Sequence, residues 1–104
     1  APGLSIMGPD YDSSSSYTAF SGTSQACPHI AGVAALLMSA DTTLSVQDVS
    51  ELITANAERD TLAKPSTGES SCGGKEWNEF PNYIYGSGRV DALASVNALL
   101  TGTK

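Results

Sequence analysis

Histidine is almost missing from this sequence: its 104 residues hold one, His29. Cysteine is scarce, with Cys27 and Cys72 alone, and Trp77 is the single tryptophan. Lys and Arg number five against eleven Asp and Glu, a formal net charge of −6. So few cations argue against a nucleic-acid partner, whose phosphates call for a basic surface. No apolar run approaches the roughly 20 residues needed to span a bilayer, and no basic segment leads into an apolar one at the start as in a signal peptide. Internal repeats and N-x-S/T acceptors are also lacking. What remains, 40% hydrophobic and 15% charged, suffices for one small globular domain and is not the composition of a disordered tail. The opening Ala1-Pro2-Gly3, without a methionine, reads as the start of a processed product or a fragment.

The densest signal is Gly22-Thr23-Ser24-Gln25-Ala26-Cys27-Pro28-His29-Ile30-Ala31-Gly32. A glycine turn delivers a serine into an apolar run, Ile30 to Met38, with no charged residue from Gln25 to Ala40. Ile30, Val33, Ala34 and Leu37 recur at helical spacing. Ala31, Ala35, Leu36 and Met38 make the opposite side apolar too, so this helix is expected to be buried all round. A serine at its start sits where unpaired backbone N–H groups converge and the helix dipole is positive, a place that suits a developing oxyanion. The plainer reading is an N-cap, a position serine favours.

These residues together resemble the nucleophile segment of the subtilisin-like serine proteases (subtilases, S8 type), whose pattern reads G-T-S-x-x-x-P-H-x-A-G. Two further stretches carry the same resemblance. Ala1-Pro2-Gly3 matches an A-P-G triplet upstream of the nucleophile, and Gly86-Ser87-Gly88-Arg89-Val90-Asp91-Ala92 is similar to a closing G-x-G-x-V-x-A segment. The resemblance implies an α/β fold with a parallel sheet flanked by helices, of which residues 1–104 form the C-terminal part. It implies a serine endopeptidase acting on protein or peptide substrates, with Ser24 as nucleophile and its backbone N–H in the oxyanion hole. Gly22 and Thr23 would lie against substrate. Pro28, His29 and Gly32 would be structural.

A serine hydroxyl needs a base within hydrogen-bond reach and an acid behind that base. In the family both precede the serine, as does the asparagine that completes the oxyanion hole, yet only residues 1–23 precede Ser24 here. The resemblance therefore places Asp, His and Asn on an upstream polypeptide of the same precursor, separated by processing into a two-chain protein. Asn56, Asn78, Asn82 and Asn97 follow the serine and are not promoted to that role. His29 is the tempting base, but five positions along a helix turn its side chain away from Ser24. Secretion is expected from the family.

Cys27 and Cys72 form an even pair, and three arrangements fit: a 27–72 disulfide, Cys27 as a small buried hydrophobe, or Cys72 paired with a cysteine upstream. Calcium is common in complete subtilase domains. Asp10 and Asp12 fall well short of the about six to eight oxygens that calcium takes, so no metal or other cofactor is expected on this chain.

The rest of the chain is read more coarsely. Leu4–Met7 and Tyr17–Phe20 suggest short strands of one hairpin, with the Gly8–Ser16 loop between them. Ser45 caps an amphipathic helix ending near Ala57, and a last helix runs to about Leu100. Arg59 to Tyr85 is an irregular excursion, longer than subtilisin has here, packed down by Trp77, Phe80, Tyr83 and Tyr85.

Rival readings are a sedolisin-type serine-carboxyl peptidase, which shares G-T-S, and a non-catalytic subtilase-like module. An α/β-hydrolase is disfavoured because Ala26 stands where G-x-S-x-G needs glycine. Gln25 replaces the methionine that often follows the serine in G-T-S-M-A, removing an oxidisable thioether beside the nucleophile. Peroxide is accordingly expected to inactivate the assembled enzyme slowly. Rapid loss of activity without chemical change at Ser24, read by residual activity and peptide mass, would contradict this.

Overall fold

The computed structural model describes residues 1–66, 68 and 70–102. Thr67 and Glu69, inside the expected excursion, and Thr103 and Lys104 lie outside the described residues. The chain opens with an antiparallel hairpin, β1 (Ile6–Pro9) and β2 (Tyr17–Phe20), in which Ile6 faces Phe20 and Pro9 faces Tyr17. Three helices follow: α1 (Thr23–Ala40), α2 (Val46–Ala55) and α3 (Ala92–Thr101). Between α2 and α3 lies a second antiparallel hairpin, β3 (Ser71–Cys72) and β4 (Lys75–Glu76). No helix among the described residues is long and apolar enough to cross a membrane.

Local chemistry sets the helix ends. Ser45 and Asp48 form a reciprocal capping box: the Asp48 N–H donates to Ser45 Oγ at 3.1 Å and the Ser45 N–H donates to Asp48 Oδ2 at 2.9 Å. That satisfies two of the donors that every helix start leaves open. Asp91 caps α3 by accepting the Ala94 N–H at 2.9 Å, and Gly102, at φ 73, ends it in the left-handed conformation.

The core is small. Val33 and Leu37 of α1, Leu52 of α2 and Ala98 of α3 are buried, with Leu44, Val49, Ile53, Val90, Val96 and Leu99 packed around them. Within this chain α1 is not buried all round. Only Val33 and Leu37 are buried on it, while Leu36 is 54% and Met38 49% exposed. The physical reason is geometric: α2 and α3 cover one stripe of a helix whose apolar residues run around its whole circumference. An apolar groove of about 510 Å³ stays open between α1 and α2, lined by Ile30, Ala34, Met38, Val46, Val49 and Ile53.

The parallel sheet is also absent among the described residues, where both strand pairs are antiparallel. Parallel neighbours need a crossover connection of about a dozen residues or more, usually helical, and here each strand returns directly upon the one before it.

The excursion is more ordered than its composition suggests. Gly73 and Gly74, at φ 58 and 80, close the β3–β4 hairpin as adjacent positive-φ residues, the backbone that a two-residue hairpin turn requires. Buried Asn82 organises the next turn. Its Nδ2 donates to the Trp77 and Glu79 carbonyls, each at 2.8 Å, and its Oδ1 accepts the Ile84 and Tyr85 amides at 2.9 and 2.6 Å. Trp77, Phe80 and Tyr85 are half-buried as expected, but Tyr83 is 77% exposed and lies across Gly73 instead of packing inward.

The base of the excursion is closed by Glu58 and Arg89. Their backbones exchange hydrogen bonds at 2.8 and 2.9 Å, and Arg89 reaches the Glu58 carboxylate at 2.8 Å. Hydrogen bonds from the Thr61 hydroxyl and amide, then from the Asp60 amide, with the Arg89 charge behind them, hold the Glu58 carboxyl below its ordinary value of 4.5. A depressed carboxyl stabilises the fold above its unfolded pKa, and that contribution disappears as pH falls through the folded value. Thermal unfolding followed downward from pH 5 should therefore show a loss of stability that the Glu58→Gln variant lacks.

Candidate active site

Strand β2 and helix α1 are separated by Ser21 and Gly22 alone. Gly22 is the N-cap of α1 and carries no side-chain cap, so Ser24 is the second helical residue and its hydroxyl does not cap the helix. The Gln25 and Ala26 amides both donate to the Gly22 carbonyl, at 3.1 and 3.3 Å. The preceding amides, of Thr23 and Ser24, lie before the first of these bonds, at the electropositive end of the helix. Ser24 is exposed and its hydroxyl has no hydrogen-bond partner among the described residues. It borders an open cleft of about 410 Å³ between the β1–β2 hairpin and α1, which Ile6, Pro9, Phe20, Gln25 and His29 also line.

Gly22 holds its place through Gly3. The Gly22 N–H donates to the Gly3 carbonyl at 2.6 Å, and a Cβ on Gly3 would stand 2.5 Å from the Gly22 carbonyl oxygen. Gly22 itself sits at φ 150, a conformation L side chains rarely adopt. The A-P-G triplet and the G-T-S turn, far apart in sequence, are thus one contact in space. Sequence reasoning noticed both triplets and did not see that they touch.

His29 and Ser24 line the same cleft, yet no hydrogen bond joins them. His29 Nδ1 lies 2.9 Å from the Gln25 carbonyl, which can only accept, so Nδ1 carries the proton and donates to its own helix one turn back. Pro28 lies inside α1 and has no N–H to give the Ser24 carbonyl, which would be its partner four residues back. Gly32 is exposed, and no described side chain or neighbouring element comes within 4 Å of where its Cβ would stand. Thr23 is exposed as the first residue of α1.

Cys27 and Cys72 are free, exposed thiols in this structure. Cys27 belongs to α1 and Cys72 to the β3–β4 hairpin. Asp10 accepts its neighbour's amide, from Tyr11, at 2.8 Å. Among the described residues no three His, Cys, Asp or Glu side chains stand together.

Comparison with known proteins identifies the family that this turn and helix belong to. A sequence model of the Subtilase family matches residues 1–88, and this chain belongs to that family. Bacillopeptidase F of Bacillus subtilis (strain 168) is 34% identical over 106 aligned positions, covering 98% of this chain and 6% of that protein. The alkaline extracellular protease of Yarrowia lipolytica (strain CLIB 122 / E 150) is 43% identical over 68 positions, covering 64% of this chain and 14% of that protein. The chain spans a small part of the length of these relatives. The family match ends before α3, whereas the match to bacillopeptidase F extends over nearly the whole chain.

Replacing Gly3 by alanine tests the contact under the turn. The new Cβ meets backbone, which cannot rotate away, so Gly3→Ala should destabilise the fold by about 1–3 kcal/mol. Urea unfolding measures this, and an unchanged midpoint would show that the two triplets do not bear on each other.

Proposed function

We propose that this chain supplies the nucleophile of a secreted subtilisin-like serine endopeptidase. The catalytic Asp and His and the oxyanion asparagine then lie on an upstream portion of the same precursor, whether still joined to it or cleaved from it. The observation that carries this reading is Ser24: an exposed hydroxyl without a partner, at the open end of α1, on the wall of a cleft. Support for secretion comes from one relative, an alkaline extracellular protease. The open apolar groove along α1 and α2 supports a further portion of protein packing there.

In this reading the base on the upstream portion takes the Ser24 proton as Oγ attacks the carbonyl carbon of a bound peptide. The resulting oxyanion accepts the Ser24 backbone N–H, with the first-turn dipole behind it. Collapse expels the amine, which takes up the proton, and leaves an acyl-enzyme at Ser24. Water hydrolyses the acyl-enzyme and restores the hydroxyl. Gly22 and Thr23 flank the attacking group and border bound substrate. Pro28, His29 and Gly32 shape the helix, with the His29 ring anchored through Nδ1 to the Gln25 carbonyl of its own helix.

A serine-directed fluorophosphonate, followed by intact-mass analysis of every chain in the native preparation, tests the proposal. One adduct on Ser24 is expected. Ser24→Ala should abolish labelling and lower peptide hydrolysis by a factor on the order of 10⁴ or more. Absence of an adduct in the native preparation would leave the non-catalytic module as the better reading.

A further inference from the structure

Ser5 is the one non-glycine described residue with positive φ, at 52°. L-residues avoid this region unless their surroundings hold them there, and such residues often cluster near functional sites. Ser5 follows the A-P-G triplet and precedes β1. Continuing the hairpin register beyond Ile6 and Phe20 would bring Ser5 opposite Ser21. The ladder does not continue. The Ser5 N–H donates instead to the Ser21 hydroxyl oxygen at 2.8 Å, across the gap between the two segments.

One step further, the Gly22 N–H donates to the Gly3 carbonyl at 2.6 Å. Ser21 and Gly22 are the whole connection between β2 and α1, and each is tied to Gly3–Ser5 by one hydrogen bond. The direction in which α1 leaves the hairpin, and with it the position of the Ser24 hydroxyl and amide, depends on these two ties. The Gly3 tie is made between backbones. The Ser21 tie is the one made by a side chain, so it is the one a substitution can remove cleanly.

We propose that Ser21 is a positioning residue for the Ser24 nucleophile, its hydroxyl holding Ser5 in the left-handed conformation that keeps Gly3–Ser5 braced against the turn. This rests on the endopeptidase reading above. Ser21 and Ser5 do not line the cleft beside Ser24. Loosening the brace therefore displaces the attacking group without altering the cleft wall, and a small displacement of a reacting atom acts on the rate more than on binding.

The experiment uses the complete, assembled protease. Ser21→Ala should lower kcat about tenfold with KM essentially unchanged, and should slow fluorophosphonate labelling of Ser24 in proportion. Amide exchange at Ser5 and Gly22, which needs no catalysis, should become faster. Ser21→Thr, which keeps the hydroxyl, should restore most of the rate. Adding Ser5→Gly to Ser21→Ala should do so as well, because glycine takes positive φ without a tie. An unchanged kcat in Ser21→Ala, a rise in KM alone, or failure of both rescues would overturn the proposal while the parent enzyme still labels. A parent protein that does not label would overturn the endopeptidase reading and this one with it.

Discussion

The contact on which the site depends is between two glycines. Gly3 offers its carbonyl to the Gly22 N–H, and its missing side chain lets the Gly22 carbonyl come close above it. Gly22 can then point that carbonyl down the axis of α1, where it receives the first two helical N–H bonds. The amides before those bonds stay open, and Ser24 stands among them. Any larger residue at position 3 would push the turn outward, and any side chain at position 22 would strain it. The electropositive helix end is therefore a product of close backbone packing, with no charged residue involved.

The same helix explains why the core looks incomplete. Its apolar residues surround it, but α2 and α3 reach one side, leaving Leu36, Met38 and the groove beside Ile30 and Ala34 in solvent. A helix apolar all round belongs in the interior of a larger body. Within this chain the helices close only a modest cluster about Leu37 and Leu52. The polar excursion between α2 and α3 is, by contrast, largely self-contained. Asn82 satisfies four backbone groups, Arg59 lies 5.5 Å from the centre of the Phe80 ring, and the Glu58–Arg89 pair closes the base. Its order comes from hydrogen bonds instead of burial, which suits a segment that adds little apolar surface.

Besides Ser24, two free thiols and one histidine are the other reactive side-chain types on this surface. The thiols are not bridged, and the His29 ring spends its Nδ1 proton on its own helix. Ser24 stands exposed beside the cleft, its hydroxyl without a hydrogen-bond partner among the described residues.

The amino-acid order by itself determined the family, the three helices and the first hairpin, because these rest on local spacing and on a dense motif. Helix ends were legible to within a few residues, since Ser45, Asp91 and Gly102 act on their immediate neighbours. The hairpin at Gly73–Gly74 was legible in principle from its paired glycines, but the polar composition around it suggested a plain loop. Only the tertiary structure decided that α1 is half in solvent within this chain and that Gly3 and Ser5 are hydrogen-bonded to the turn before Ser24. Each of these depends on which distant segments meet, and periodicity along the chain carries no information about that meeting. A glycine is legible as a turn wherever it occurs; that Gly3 exists to let Gly22 pass close over it becomes visible only once the hairpin has folded back.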